Sequence, residues 1–119
     1  MWRVEYHHRF LKEFEDFPEG VQEEIIAMAN LLRVFGPQLK RPRSDTLNGS
    51  AYANMKELRF DADGGVWRVA YAFDPQRSGI LLVAGDKSGV GSKQFYRGLI
   101  RRADERFKEH LGALKGRKT

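Results

Sequence analysis

The sequence predicts an α+β fold in the order strand, helix, helix, three strands, helix, with an antiparallel meander of strands packed against the helices. Three patterns carry this expectation. Residues 55–60 and 66–73 alternate apolar with polar or charged side chains, the period of a strand with one buried face. Residues 10–35 and 95–114 repeat apolar side chains at steps of three and four, the period of amphipathic helices. Clusters of Asp, Gly, Pro and Ser punctuate the strands.

The chain has 119 residues, 41% of them hydrophobic and 31% charged, the composition of a single globular domain. No apolar run reaches the ~20 residues of a membrane span, and the start, Met1 to Glu5, lacks the apolar stretch of a signal peptide. A cytoplasmic location is expected. With no cysteines, disulfides, thiolate zinc sites and cysteine nucleophiles are excluded, and three scattered histidines argue against a histidine metal site. Charge is distributed unevenly. Met1 to Gln38 carries 4 basic and 7 acidic residues, net −3, whereas Leu39 to Thr119 carries 17 and 9, net +8. A basic half of this kind fits a polyanion, because lysines and arginines beside phosphates release condensed counterions. The tail Lys115-Gly116-Arg117-Lys118 by itself reads as solvated surface charge.

The elements follow in order. Trp2, Val4 and Tyr6 alternate with Arg3 and Glu5 as a short first strand. Phe10, Leu11, Phe14 and Phe17 mark a first helix. Pro18 opens a second, whose buried stripe is Val21, Ile25, Met28, Leu32 and Phe35. Gly36-Pro37 stops it, since glycine accepts the cap conformation and proline cannot continue the ladder. From Gln38 to Asn54 the chain is polar, and little regular structure is expected. A hairpin follows, Met55 to Phe60 and Val66 to Phe73 around Asp63-Gly64-Gly65. Ile80 to Ala84 is apolar on both faces and reads as a central strand. After a loop from Gly85 to Ser92, the last helix buries Phe95, Leu99, Ala103, Phe107, Leu111 and Leu114. Its other side presents Arg97, Arg101, Arg102, Arg106 and Lys108.

Alternation has a chemical consequence. Glu57, Arg59 and Arg68 fall on one sheet face, opposite Leu58, Phe60, Trp67, Val69, Tyr71 and Phe73. Two guanidinium groups and a carboxylate on one face suit a phosphate, with Glu57 either a general base or half of a surface ion pair with Arg59. Trp67 and Tyr71 share the apolar parity and read as core, not as stacking platforms for bases. The loop Gly85 to Lys93 lacks the spacing of a Walker phosphate loop, because Gly91 is followed by Ser92-Lys93 and Asp86 stands where the earlier glycine belongs. His7, His8 and His110 lie near helix ends and read as capping or solvent residues.

The chain resembles the RelE superfamily of bacterial toxins, and within it the HigB-like branch of phage-derived Gp49-like proteins. The resemblance rests on the element order, the helical hairpin ending in Gly36-Pro37, and Met55-Lys56-Glu57-Leu58-Arg59. It continues through Trp67-Arg68-Val69-Ala70-Tyr71, Gly85-Asp86-Lys87, and the helix led by Phe95-Tyr96. It implies a RelE-like fold and a toxin of a toxin–antitoxin pair that cleaves messenger RNA in the ribosomal decoding site, restrained by a helix-turn-helix, HigA-like antitoxin, with DNA engaged only through that complex. It implies no metal or cofactor, because the RNA's own 2′-hydroxyl is the nucleophile. Arg68 matches the strand arginine that neutralises the phosphate, Lys87 the basic residue after the last strand, and Tyr96, or Phe95 in a shifted register, the aromatic near the final helix, for stacking or proton transfer. Glu57 and Arg59 complete the expected catalytic set, and Lys93, Arg97 and Arg101 the RNA-binding set. Related toxins carry lysines on the second strand or histidines around the site, a pattern absent here. Two other functions remain: a gyrase-poisoning toxin of the ParE branch, and a nonenzymatic nucleic-acid or protein-binding module. Arg68, Lys87 and a candidate base favour the nuclease.

Overall fold

In the computed structural model, which describes residues 1–116, the elements run β1 (Arg3–Tyr6), α1 (His8–Glu15), α2 (Glu19–Phe35), β2 (Ser44–Thr46), β3 (Lys56–Ala62), β4 (Gly65–Phe73), β5 (Ser78–Asp86) and α3 (Ser92–Gly116), with a short 3-10 turn at Gly36–Gln38. The tail residues Arg117 and Lys118 lie outside the described residues. The five strands form one sheet in the order β1-β5-β4-β3-β2. The meander β3-β4-β5 is antiparallel as expected, and β1 joins it parallel to β5, which makes the sheet mixed. β2 is an addition to the expected order. It forms an antiparallel edge in the segment read as loop, with Ser44 opposite Leu58 and Asp45 opposite Glu57. β5 is interior and buried on both faces, although β4 occupies the middle of the sheet.

Local sequence explains the joints. Asp63 and Gly64 both take positive φ, 49° and 74°, the two-residue turn whose twist matches that of the flanking strands, and Ala62 pairs with Gly65 across it. Gly36 ends α2 with φ 57°, and a Cβ there would lie 2.4 Å from the Trp2 ring. Pro18 stands at the N-cap of α2, one position before the first helical residue.

The parity of β3 and β4 predicts helices on the apolar side alone and an open basic face on the other, but helices cover both faces of the sheet. Phe10, Val21, Ile25, Met28 and Leu32 of α1 and α2 pack on one face against Leu58, Phe60, Val69, Tyr71 and Leu81. On the other, Leu99, Ala103 and Phe107 of α3 pack against Ala70, Ala72, Ile80, Leu82 and Val83. α3 lies chiefly over β5 and β4, so β3 and β2 are the part of that face a helix leaves uncovered. Phe35, expected in the buried stripe of α2, is exposed at the end of that helix, as is Leu11 on α1.

Arg106 is a further correction. It is buried, not part of the basic outer face, and its guanidinium donates to both carboxylate oxygens of Glu13 at 2.8 and 2.6 Å and to the Leu82 carbonyl at 2.8 Å. Leu82 is the β5 residue that the irregularity in the β4–β5 register skips, and Arg106 serves its carbonyl while tying α3 to α1. Nearby, Arg9 pairs with Glu105 and Glu109. His7 caps α1 by accepting from the Arg9 amide, and its Nε2 meets Glu109 at 3.0 Å. His110 meets Asp74, which also accepts from the Gln76 and Ser78 amides and so fixes the β4–β5 turn. The histidines therefore have structural partners, His7 as a cap and His110 through Asp74.

Arg106→Met keeps the stem but leaves the Leu82 carbonyl and the Glu13 carboxylate without their donor, and a loss of about 1–3 kcal/mol is expected in thermal unfolding. The Arg106 hydrogen bonds hold the Glu13 carboxyl below a glutamate's ordinary 4.5, so the contribution is complete above that value and disappears as the pH falls through the folded value. The gap in Tm between parent and variant should narrow below about pH 4.5. A gap independent of pH would place the stabilisation elsewhere.

Candidate functional site

The uncovered part of the α3 face carries the charged side chains that alternation placed together. Register puts Arg59 on β3 directly opposite Arg68 on β4, and Glu57 one step along β3 opposite Ala70. Like charges facing each other across a ladder cost stability, so an acid beside them is needed. Glu57 supplies it. Its Oε2 lies 3.2 Å from the Arg59 guanidinium and its Oε1 lies 3.7 Å from Arg68 Nε. Glu57 is only 4% exposed and Arg68 7%, which removes the surface-ion-pair reading of Glu57.

α3 completes the group from its first turns. The Tyr96 hydroxyl donates to Glu57 Oε1 at 2.8 Å and accepts from Arg68 Nε at 3.3 Å. Arg68 is further fixed by donating to the Trp67 carbonyl at 2.9 Å. Between the two aromatic positions the geometry is unambiguous: Tyr96 faces the charges, while Phe95 packs against Gly85, where an added Cβ would lie 2.9 Å from its ring. Burial, then the Glu57 carboxylate, push the Tyr96 hydroxyl above its ordinary value of 10.0. It is therefore a proton donor near neutral pH, not a base.

Lys87 joins from the end of β5, with its ammonium 5.5 Å from the centre of the Tyr96 ring. Its backbone is anchored by a bond to the Val66 carbonyl, and Asp86 accepts from the Val66 and Ser88 amides and the Ser88 hydroxyl. Asp86 thus shapes the turn that carries Lys87, a role that sequence reasoning missed although Asp two residues before Ser is a turn signal. Lys93, Arg97 and Arg101 are exposed on the adjoining side of α3 and, with Gly49, Tyr96 and Ile100, line an open depression of ≈ 600 Å³. Lys56 points to the opposite face, as its parity requires, and donates to the Pro37 carbonyl at 3.1 Å. Tyr71 is fully buried, its hydroxyl 2.6 Å from Ser44, and Trp67 packs edge-on to Phe17, so both belong to the core.

The site is thus two guanidinium groups bracketing a carboxylate, with a neutral phenol and an ammonium at its rim. It can hold an anion between Arg59 and Arg68, accept a proton at Glu57 and supply one from Tyr96 or Lys87. A second convergence lies far from it. His7 Nε2 and His8 Nε2 lie 3.0 and 3.5 Å from Glu109 Oε1. His7 Nδ1 accepts from the Arg9 amide, so in the neutral ring Nε2 carries the proton and serves Glu109 instead of a metal ion.

The profile of the phage-derived Gp49-like proteins matches residues 12–108. The chain belongs to this family, together with relatives that carry HigB names. Two relatives from Mycobacterium tuberculosis carry toxin names. HigB2 is 42% identical over 81% of this chain, and HigB3 is 44% identical over 73%. The chain spans 48% of the length of the first and 74% of the second. Among solved structures, a double arginine-to-alanine mutant of E. coli toxin RelE in the free state superimposes with a TM-score of 0.59 at 14% identity, covering 88% of this chain and 96% of that one. RelE in the archaeal RelE–RelB complex of Pyrococcus horikoshii gives 0.55 at 16% identity, covering 75% and 98%. These two establish the RelE-like fold. Among the described residues, no helix is long and apolar enough to cross a membrane.

An alkaline titration tests the protonation state assigned to Tyr96. The tyrosinate absorbance lost on Tyr96→Phe should titrate with a midpoint above pH 10.0. A midpoint below that value would mean that the site activates Tyr96 as a base.

Proposed function

We propose that this protein is the toxin of a toxin–antitoxin pair and cleaves messenger RNA. The observation that carries the proposal is the Glu57 carboxylate, buried between Arg59 and Arg68 and bonded to Tyr96. Buried charged groups with this geometry are expensive as structure and useful as chemistry. A scissile phosphate takes the place between the guanidinium groups, and Glu57 removes the proton from the neighbouring 2′-hydroxyl. The 2′-oxygen then bonds to phosphorus and the bond to the 5′-oxygen breaks, with a proton delivered to that oxygen by Lys87 or Tyr96. Arg59 and Arg68 neutralise the charge that gathers on the phosphorane-like transition state. The products are a 2′,3′-cyclic phosphate and a free 5′-hydroxyl.

Lys93, Arg97 and Arg101 extend the cationic surface along α3, where they would hold the RNA backbone without reading bases. The ribosomal decoding site presents such a strand, and a helix-turn-helix antitoxin of HigA type would restrain the toxin by covering or distorting this surface. The names of the HigB relatives and the RelE–RelB neighbour support a toxin with an antitoxin partner.

Cleavage of mRNA on translating ribosomes, with circular dichroism on the same samples, tests the proposal. Arg68→Ala should lower the rate by roughly 10²–10³ without unfolding the protein, and Lys87→Ala should lower it less. A substrate with a 2′-deoxy sugar at the cleavage position should resist. Intact mRNA beside gyrase-dependent DNA breaks would replace this function with that of the ParE branch.

A further inference from the structure

The row that contains Arg59 and Arg68 does not end at β3. Arg59 N donates to the Arg43 carbonyl at 2.9 Å, and Ser44 pairs with Leu58, so Arg43 occupies the register position opposite Arg59. Arg43, Arg59 and Arg68 therefore stand in one row across three neighbouring chain segments, about 4.8 Å apart from one to the next. Arg43 is the turn residue that enters β2 and its side chain is exposed, while Ser44 after it turns to the opposite face and bonds Tyr71. The next row holds Asp45 and Glu57.

The charges of this patch do not cancel. Glu57 serves Arg59 and Arg68, and Asp45 is taken by Arg41, whose Nε and second guanidinium nitrogen lie 2.8 and 2.7 Å from it. The Asp45 carboxyl is held low first by that hydrogen bond, then by the Thr46 amide, with Arg59 also contributing. Arg43 is exposed and has no ion pair among the described residues, and Lys40 is exposed beside it. Three arginines in register with two acids beside them, one already committed to a fourth arginine, leave a place for a further anion. It lies at the β2 edge, one strand beyond Arg59, while the depression lined by Lys93, Arg97 and Arg101 reaches Gly49 in the loop that follows β2.

Resting on the proposed function, we propose that Arg43, backed by Arg41, forms a second phosphate subsite. It takes the phosphodiester of the same RNA strand next to the one at Arg59 and Arg68. The strand then continues from the scissile phosphate to the β2 edge, and the enzyme holds a flanking nucleotide there by its backbone.

Fluorescence anisotropy against salt concentration reads this directly, using 2′-O-methyl RNA as the probe: a dinucleotide, with one phosphodiester, and a hexanucleotide. Arg43→Gln should lower the slope of log affinity against log salt by about 0.7 for the hexanucleotide and leave the dinucleotide unchanged. Asp45→Asn, which frees Arg41, should tighten the hexanucleotide. Arg68→Gln should weaken both probes. Equal slopes for parent and Arg43→Gln, with Arg68→Gln still weakening both, overturn the second subsite and leave the first standing. RNA affinity indifferent to Arg68 as well overturns the function on which the subsite rests.

Discussion

The placement of α3 across one face of the sheet is the constraint on which the rest depends. Arg106 fixes it, since one guanidinium reaches α1 through Glu13 and β5 through the Leu82 carbonyl. From that anchor Phe107, Ala103 and Leu99 pack down onto β4 and β5, and the helix delivers Tyr96 to Glu57 and Arg68 at its opposite end. The pair is worth more as a positioning device than as a source of net stability, because much of its attraction is offset by the water its partners gave up. Breaking it is the expensive event.

The same placement defines the site. Had α3 covered β3 as well, Glu57 and Arg59 would have been sealed inside. Had it covered less, Arg68 would have been a solvated surface charge with its field screened by water and salt. Held at the margin of the helix, the four groups are largely dry yet reachable. Their mutual bonds keep them ordered, with Glu57 bridging the two arginines. Under the proposed cleavage this is preorganisation of the donors: Arg59 and Arg68 already flank the place where negative charge would develop, and the Glu57 carboxylate is the group that has to yield it.

Much of this was legible in the sequence. Parity alone put Glu57, Arg59 and Arg68 on one face and Leu58, Phe60, Val69 and Tyr71 on the other, because side-chain alternation is a local property of any strand. Asp63-Gly64 and Gly36 announced a tight turn and a helix end through the backbone angles they accept. Long-range partners left weaker traces. β2 is three polar residues, Ser44–Thr46, with no apolar alternation, and becomes a strand only because β3 offers it an edge. The parallel pairing of β1 with β5 and the choice of face for α3 have no local signature. Arg106 did leave one: it lies three residues after Ala103 and seven after Leu99, on the buried stripe, where a charged residue signals an internal partner. Arg43 escaped notice because its place in the arginine row exists only once β2 is paired.

The central claim is that the space between Arg59 and Arg68 belongs to an RNA phosphate. A crystal structure with a non-cleavable RNA dinucleotide carrying a 2′-deoxy sugar at the scissile position tests it most directly. The phosphate is expected within hydrogen-bond reach of both guanidinium groups, with the neighbouring sugar's 2′-carbon facing Glu57. RNA bound only along the α3 cations, with Glu57 still bridging the two arginines, would contradict it.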